Sequence, residues 1–103
     1  MPAQILVMYK KPTDPAHFDQ YYADVHTPLA KKIPGLKSLV VGRSPASVTD
    51  EPSPYYLIAE LTFDSMESLG AGMASDEGKA TAADLENFAT GGVIILTFEA
   101  PVM

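Results

Sequence analysis

The stretch Tyr55-Tyr-Leu-Ile-Ala-Glu-Leu-Thr-Phe63 is typical of a β-strand that is apolar on both faces. A later stretch, Val93-Ile-Ile-Leu-Thr-Phe-Glu99, has the same character. A strand with one face in water alternates between apolar and polar side chains, and neither stretch does so consistently. Both stretches therefore predict a sheet that needs an apolar cover on each of its faces.

Two more strands and two helical regions surround these stretches. Residues 3–9 and 36–43 are β-rich, and the pair Asp14-Pro15 is a typical helix start. A second helical region begins after residue 64 and ends before Gly91-Gly92. The resulting order, β-α-β-β-α-β, predicts an α+β fold of the ferredoxin-like sandwich type, with residues 1–103 as one domain.

Helices can cover only one face of such a four-stranded sheet. Both faces are apolar: one set includes Leu57, Ala59 and Ile95, and the other includes Ile58, Ile94, Leu96 and Phe98. Whichever face stays uncovered would expose a larger apolar patch than a soluble monomer usually carries. Packing this face on a second copy about a two-fold axis would bury it. The sequence therefore predicts a homodimer, and the alternative is a monomer with an exposed apolar face.

The first helix contains a proline that a regular α-helix does not accommodate. Four side chains recur at helical spacing and predict a buried stripe: Phe18, Tyr22, Val25 and Leu29. Pro28 removes the hydrogen bond to the Asp24 carbonyl and disfavours helical geometry at Thr27. We expect a break or bend between Asp24 and Pro28, with Thr27 as a new N-cap.

His26 lies at this expected break and is the sharpest candidate for function. Its imidazole titrates near neutral pH and can act as acid, base or hydrogen-bond donor. Tyr22 precedes it by four positions and shares its helical face. A purely structural histidine, bonded to loose backbone groups at the break, is the alternative.

The remaining polar candidates are weaker. Glu60 interrupts an apolar strand and would need a partner if buried, but it fits a strand end or a dimer rim equally well. Glu99 and His17 are expected in solvent. Two histidines without a supporting carboxylate pattern do not predict a metal site.

Composition excludes several function classes. The chain has no cysteine and a net charge of −6, so we expect no disulfide, no Cys-ligated metal and no nucleic-acid partner. No apolar run approaches the ~20 residues that span a bilayer. Without the pattern of a secretory signal at the N-terminus, we expect a cytoplasmic protein with no membrane partner.

The run Phe18-Asp-Gln-Tyr-Tyr-Ala-Asp-Val-His26-Thr-Pro-Leu29, followed by Ile33-Pro-Gly-Leu36, resembles the signature of the EthD family. Residues 63–69 and 75–78, with Ala83-Asp84 ahead of Asn87-Phe88, resemble it as well. Tyr22 stands where that family often has Trp, which changes the shape expected for the pocket.

This resemblance implies a dimeric α+β barrel that works on small molecules. Members of the barrel superfamily include cofactor-free oxygenases, decarboxylases, cyclases and isomerases, while others bind haem; EthD itself is linked to ether degradation. The hypothesis is therefore a cofactor-independent enzyme of lyase, cyclase, isomerase or oxygenase type, acting on a small apolar or aromatic substrate through His26 and Tyr22. The alternatives are a non-catalytic binding or accessory protein of a degradation pathway and a structural dimer without a ligand.

Overall fold

A computed structural model describes residues 1–103 and contains one four-stranded antiparallel sheet. Its spatial order is β2-β3-β1-β4. The strands are β1 (Ala3–Lys10), β2 (Ser38–Arg43), β3 (Tyr55–Phe63) and β4 (Val93–Glu99). This order and the alternation of strands and helices confirm the predicted ferredoxin-like α+β fold.

All helical elements pack on one face of the sheet. They are α1 (Pro15–Tyr21), a π-helical turn (Tyr22–His26), α2 (Thr27–Ala30), α3 (Met66–Ala74), α4 (Asp76–Asp84) and a 3₁₀ turn (Leu85–Asn87). None of them combines the length and the apolar character needed to cross a membrane.

Strand register divides the side chains of the sheet into two faces. Val7 pairs with Ala59 on one side and with Ile95 on the other, and these three side chains share the helix-covered face. Leu6 pairs with Glu60 and Leu96 on the opposite face, which no helix covers. The core lies wholly between the covered face and the helices. Its buried side chains include Ile5, Tyr9, Leu57, Leu61 and Phe63 from the sheet, and Phe18, Tyr22, Ala30 and Phe88 from the helical side.

The helix α1 continues into α2 through the π-helical turn, and this confirms an irregularity near the predicted place. The predicted N-cap at Thr27 is wrong, however. Thr27 has helical backbone angles (φ −59°, ψ −45°), and its N–H bonds to the Tyr22 carbonyl, five residues back. Pro28 lies in the first turn of α2, where its missing N–H is tolerated.

The π-helical turn also changes which side chains are buried. In a regular α-helix, side chains four residues apart are rotated by about 40° from one another around the axis. A π-helical turn has more residues per turn, so it offsets this rotation. Phe18, Tyr22, His26 and Ala30, spaced by four throughout, consequently all point into the core. Val25 is 39% exposed and Leu29 is only half-buried, so the places predicted for them in the buried stripe are wrong. His26 lies in the core because of this wider turn.

Close backbone contact holds α4 against α3 and so fixes the inner face of α4. A Cβ at Gly78 would lie 2.6 Å from the Cα of Met73, well inside van der Waals distance. Ser75 caps α4 by accepting a hydrogen bond from the Gly78 N–H at 3.0 Å. With the start of the helix fixed in this way, Thr81 and Asp84 are buried against the core.

Candidate functional site

A cavity lies between the covered face of the sheet and the helices. Its solvent-accessible volume is about 60 Å³. A single water needs roughly 10–15 Å³ of accessible volume, so the cavity has room for several waters or for part of a small molecule. All four strands contribute side chains to its wall, including Leu39 of β2 and Ile95 of β4. Ile95 is 47% exposed, which places the edge of the cavity beside the edge strand β4.

The wall of this cavity is almost entirely apolar or aromatic. Only His26 and Thr81 fall outside that description, and neither lysine, arginine nor a carboxylate lines it. The Thr81 hydroxyl donates to the Glu77 carbonyl within its own helix at 2.8 Å. The polar groups that remain for a ligand are therefore the His26 ring and the hydroxyls of two lining tyrosines, Tyr9 and Tyr22.

His26 is 5% exposed and is held from both of its ring nitrogens. Its Nδ1 lies 2.9 Å from Asp84 Oδ2, and its Nε2 lies 3.4 Å from the Tyr9 hydroxyl. The ring of Phe88 packs against the imidazole, with centroids 4.6 Å apart. These contacts fix the position of the ring next to the cavity.

Asp84 is the centre of a small polar network behind His26. Besides the His26 contact, its Oδ1 accepts hydrogen bonds from the Tyr21 hydroxyl at 2.6 Å and from Asn87 Nδ2 at 2.9 Å. Burial alone would raise the pKa of the carboxyl group, but these hydrogen bonds outweigh it and lower the pKa below its ordinary value. The side chain is therefore an ionised carboxylate at neutral pH.

The ionised carboxylate determines the tautomer of His26. A carboxylate can only accept hydrogen bonds, so the facing Nδ1 carries the proton and donates it. In the neutral ring Nε2 is then the acceptor, and the Tyr9 hydroxyl donates to it across a long 3.4 Å contact. Such a contact is weak, which leaves the Nε2 lone pair able to accept from a ligand.

Burial also sets the charge state of His26. Loss of hydration lowers the pKa of the imidazole, and the hydrogen bond and charge of Asp84 only partly reverse this effect. We therefore take the ring as neutral at pH 7. A neutral imidazole with a fixed Nδ1–H presents a base at Nε2, and the nearby carboxylate stabilises the cation that forms when this base takes a proton.

Tyr22 occupies the wall one turn before His26, with the two rings 5.5 Å apart. Its side chain is 3% exposed, and its hydroxyl makes no hydrogen bond within the protein. Burial, opposed by the positive charge of Arg43, raises the pKa of Tyr22 to about 12. The group is thus a phenol at neutral pH and a potential hydrogen-bond donor.

The structure brings together the two site residues predicted from sequence, His26 and Tyr22. The weaker candidates lie elsewhere: Glu60 is exposed on the uncovered face of the sheet, and Glu99 and His17 are exposed as expected. No cluster of three or more histidine, cysteine or acidic side chains is placed to bind a metal.

Sequence reasoning missed the roles of Asp84, Tyr9 and Tyr21. One signal for Asp84 exists in the sequence: it follows Gly78 and Thr81 at three-residue steps, and these positions form the buried side of α4. A carboxylate on the buried side of a helix is rarely left unpaired, so this spacing indicates a partner without identifying it. The partner, His26, is 58 residues away in the chain.

The fold and this buried His–Asp pair beside an apolar cavity define a ferredoxin-like α+β protein with a candidate small-molecule site. Residues 10–92 match the EthD domain model, and the chain belongs to the EthD family. It is 40% identical over 93 residues to an 11.0 kDa protein encoded in the thcB-thcC intergenic region of Rhodococcus erythropolis, a match that covers 90% of this chain and 89% of the relative.

A solved EthD family protein from Bacillus halodurans C-125 is 35% identical and superposes with a TM-score of 0.88. That match covers 98% of this chain and 100% of the other. Two enzymes share the fold alone: a hydroxynitrile lyase from Passiflora edulis (TM-score 0.76, 18% identity, 99% and 95% coverage) and the cofactor-independent oxygenase SnoaB from Streptomyces nogalater (0.68, 15%, 99% and 95%). A dimeric ferredoxin-like protein from Thermobifida fusca also shares it (0.70, 15%, 97% and 92%).

Proposed function

We propose that this protein is a cofactor-independent enzyme for a small apolar or aromatic substrate, with His26 as its acid–base group. The observation that carries the proposal is the buried Asp84–His26 pair, whose histidine lines an apolar cavity. A base of this kind needs a pKa near or below the working pH, and burial lowers that of His26. The two enzymes that share the fold make catalysis on this scaffold plausible.

Three further residues have supporting roles in this proposal. Asp84 is a positioning residue, because it fixes the imidazole tautomer and stabilises its charged form. Tyr9 keeps Nε2 next to the cavity, and Tyr22 polarises or orients the bound molecule. Reaction types that need only proton transfer, such as those of lyases, cyclases and isomerases, require nothing beyond these groups.

We also propose that the working form is a homodimer packed through the uncovered face of the sheet. Four apolar side chains are exposed on that face: Val40, Ile94, Leu96 and Phe98. Their exposure would cost solubility in a monomer, and a two-fold packing of the face on itself removes them from water. The dimeric protein from Thermobifida fusca shares this fold and supports the proposal. The cytoplasmic location stays a prediction.

A non-catalytic binding protein is the second candidate function. It would use the same apolar cavity, and the absence of a hydrogen bond from Tyr22 supports ligand binding as much as catalysis. The two functions differ in what His26 must do. Binding needs only a hydrogen bond that the ring accepts from the ligand, whereas catalysis needs the ring to take up and release a proton.

A ligand screen followed by one substitution separates these functions. Small neutral apolar compounds are screened by thermal shift, since a ligand that binds only the native state raises the unfolding midpoint. Compounds that bind are then incubated with the protein and followed by NMR for turnover. His26→Asn keeps a donor towards Asp84, and we expect it to bind these compounds but to lose turnover by roughly a hundredfold or more.

His17→Asn is the matched control, because His17 lies on the same helical segment but is exposed and does not line the cavity. It should turn over compounds like the unmodified protein. Binding without any turnover, equal in both variants, would favour the binding protein over the enzyme. A screen without any compound that binds would contradict both functions.

A further inference from the structure

The charge of the cavity restricts which molecules it accepts. No cationic side chain lines it, and the Asp84 carboxylate lies directly behind His26. A ligand carboxylate would enter an apolar space without a counter-ion and close to a like charge, which is strongly unfavourable. The cavity is therefore suited to neutral molecules.

Two polar groups of opposite kind face this neutral space. His26 offers the acceptor Nε2, as derived above from the donation of Nδ1 to Asp84. Tyr22 offers the donor: its side chain is almost fully buried and its hydroxyl has no partner, yet no completely enclosed side-chain oxygen in the protein lacks one. The Tyr22 hydroxyl must therefore still touch open space, and we assign that space to the cavity because Tyr22 lines it.

A donor and a base one helical turn apart complement a carbonyl group and the carbon next to it. The carbonyl oxygen only accepts hydrogen bonds, which matches Tyr22, and the adjacent C–H is the proton that a base can remove. An alcohol could satisfy both groups with its hydroxyl, but it carries no comparably acidic proton on carbon. The carbonyl compound is thus the neutral class that uses both groups for chemistry.

We propose that the cavity binds a small neutral carbonyl compound, with Tyr22 donating to the carbonyl oxygen and His26 exchanging the proton on the adjacent carbon. The inference rests on the proposed function and specifies its substrate class. Nε2 takes the proton from the α-carbon, and the electron pair of the broken C–H bond forms a C=C bond while the carbonyl π electrons move to oxygen. Tyr22 stabilises the resulting enolate oxygen, and the imidazolium returns its proton to carbon, so that no oxidant or reductant is needed.

Four compounds of similar size test this inference: cyclopentanone, cyclopentanol, cyclopentane and cyclopentanecarboxylate. Binding is followed by the NMR shifts of cavity methyl groups such as those of Leu39 and Ile95. Deuterium uptake at the α-carbon of cyclopentanone is followed in D₂O against the protein-free rate. We expect the ketone to bind more tightly than the hydrocarbon, the carboxylate not to bind, and the protein to accelerate deuterium uptake.

Two variants separate the roles of the residues. Tyr22→Phe keeps the ring and should weaken ketone binding roughly three- to tenfold, the value of one hydrogen bond, without changing cyclopentane binding. His26→Asn should keep ketone binding but lose the accelerated deuterium uptake. Tyr55→Phe is the control, because Tyr55 lies on β3 outside the cavity, and it should change neither measurement.

The possible failures distinguish this inference from the proposed function. If the ketone binds no better than cyclopentane and Tyr22→Phe changes nothing, or if the alcohol binds best and no deuterium uptake is accelerated, the carbonyl inference is wrong while the cavity still binds small molecules. If none of the four compounds binds, the result contradicts the small-molecule site itself.

Discussion

Two carboxylates on opposite sides of the sheet, those of Asp84 and Glu60, have opposite surroundings. On the helix-covered side, Asp84 and His26 are buried and satisfy each other within a hydrogen-bonded network. On the uncovered side, Glu60 is exposed between apolar neighbours and makes no hydrogen bond or ion pair through its side chain. A polar residue within an apolar pattern is thus no guide to a site by itself. What distinguishes Asp84 is that its burial requires partners, and these partners orient a base.

The largest predicted effect concerns the uncovered face. Leu96→Glu places a charge on the uncovered face, in the proposed dimer interface, and an uncompensated buried charge costs about 3–5 kcal/mol. We expect the dimer to dissociate to a folded monomer at micromolar concentration, measured by light scattering. Thr97→Glu, one residue along β4 and exposed on the opposite face, should leave the dimer intact. A monomeric unmodified protein would contradict the interface.

The second prediction compares the two carboxylates directly. Asp84→Ala leaves the buried Nδ1 of His26 without its acceptor, and we expect the free energy of unfolding to fall by roughly 1–3 kcal/mol in urea titrations. Glu60→Ala removes an unpartnered carboxylate from the uncovered face that the proposed dimer buries, so it should not lower the free energy of unfolding. Equal losses from the two substitutions would show that the covered network is not a stabilising unit.

The third prediction uses the depressed pKa of His26. The unfolded chain binds a proton to this ring near pH 6.5, whereas the folded protein binds it only at lower pH, so stability should fall as the pH drops below about 6.5. Asp84, whose pKa is also lowered, extends this loss to more acidic pH. The slope from one group is at most about 1.4 kcal/mol per pH unit. His26→Asn should flatten the upper part of the curve, and His17→Asn should not; an unchanged curve in the first variant would contradict the assignment.

The smallest predicted effect tests the π-helical turn. Val25 is on the outer side of the helix because the wider turn directs His26 inward instead. Val25→Ala should therefore change the free energy of unfolding by less than about 0.5 kcal/mol. A fall in the free energy of unfolding of about 1 kcal/mol or more would show that Val25 is buried and would contradict the π-helical turn.

Apolar residues on both faces of the strands were enough to predict the sheet and an uncovered apolar face, but not which face the helices cover. The four-residue spacing of Tyr22 and His26 was enough to predict that they lie together. Val25 was misplaced because the wider π-helical turn follows from tertiary packing, which local spacing does not contain. Asp84 was missed because its bond to His26 joins positions 58 residues apart, and only the packing of α4 on the first helical region brings them together.

The protonation state of His26 tests the central claim most directly. In ¹⁵N NMR spectra of the imidazole rings at pH 7.5, we predict a neutral His26 ring with its proton on Nδ1 and an unprotonated Nε2, and an apparent pKa below 6.5 on titration. Cyclopentanone or another bound compound should shift the Nε2 resonance of His26 but not that of His17. A ring protonated on Nε2, or one that is already charged at pH 7.5, would contradict the account of His26 as a base facing the cavity.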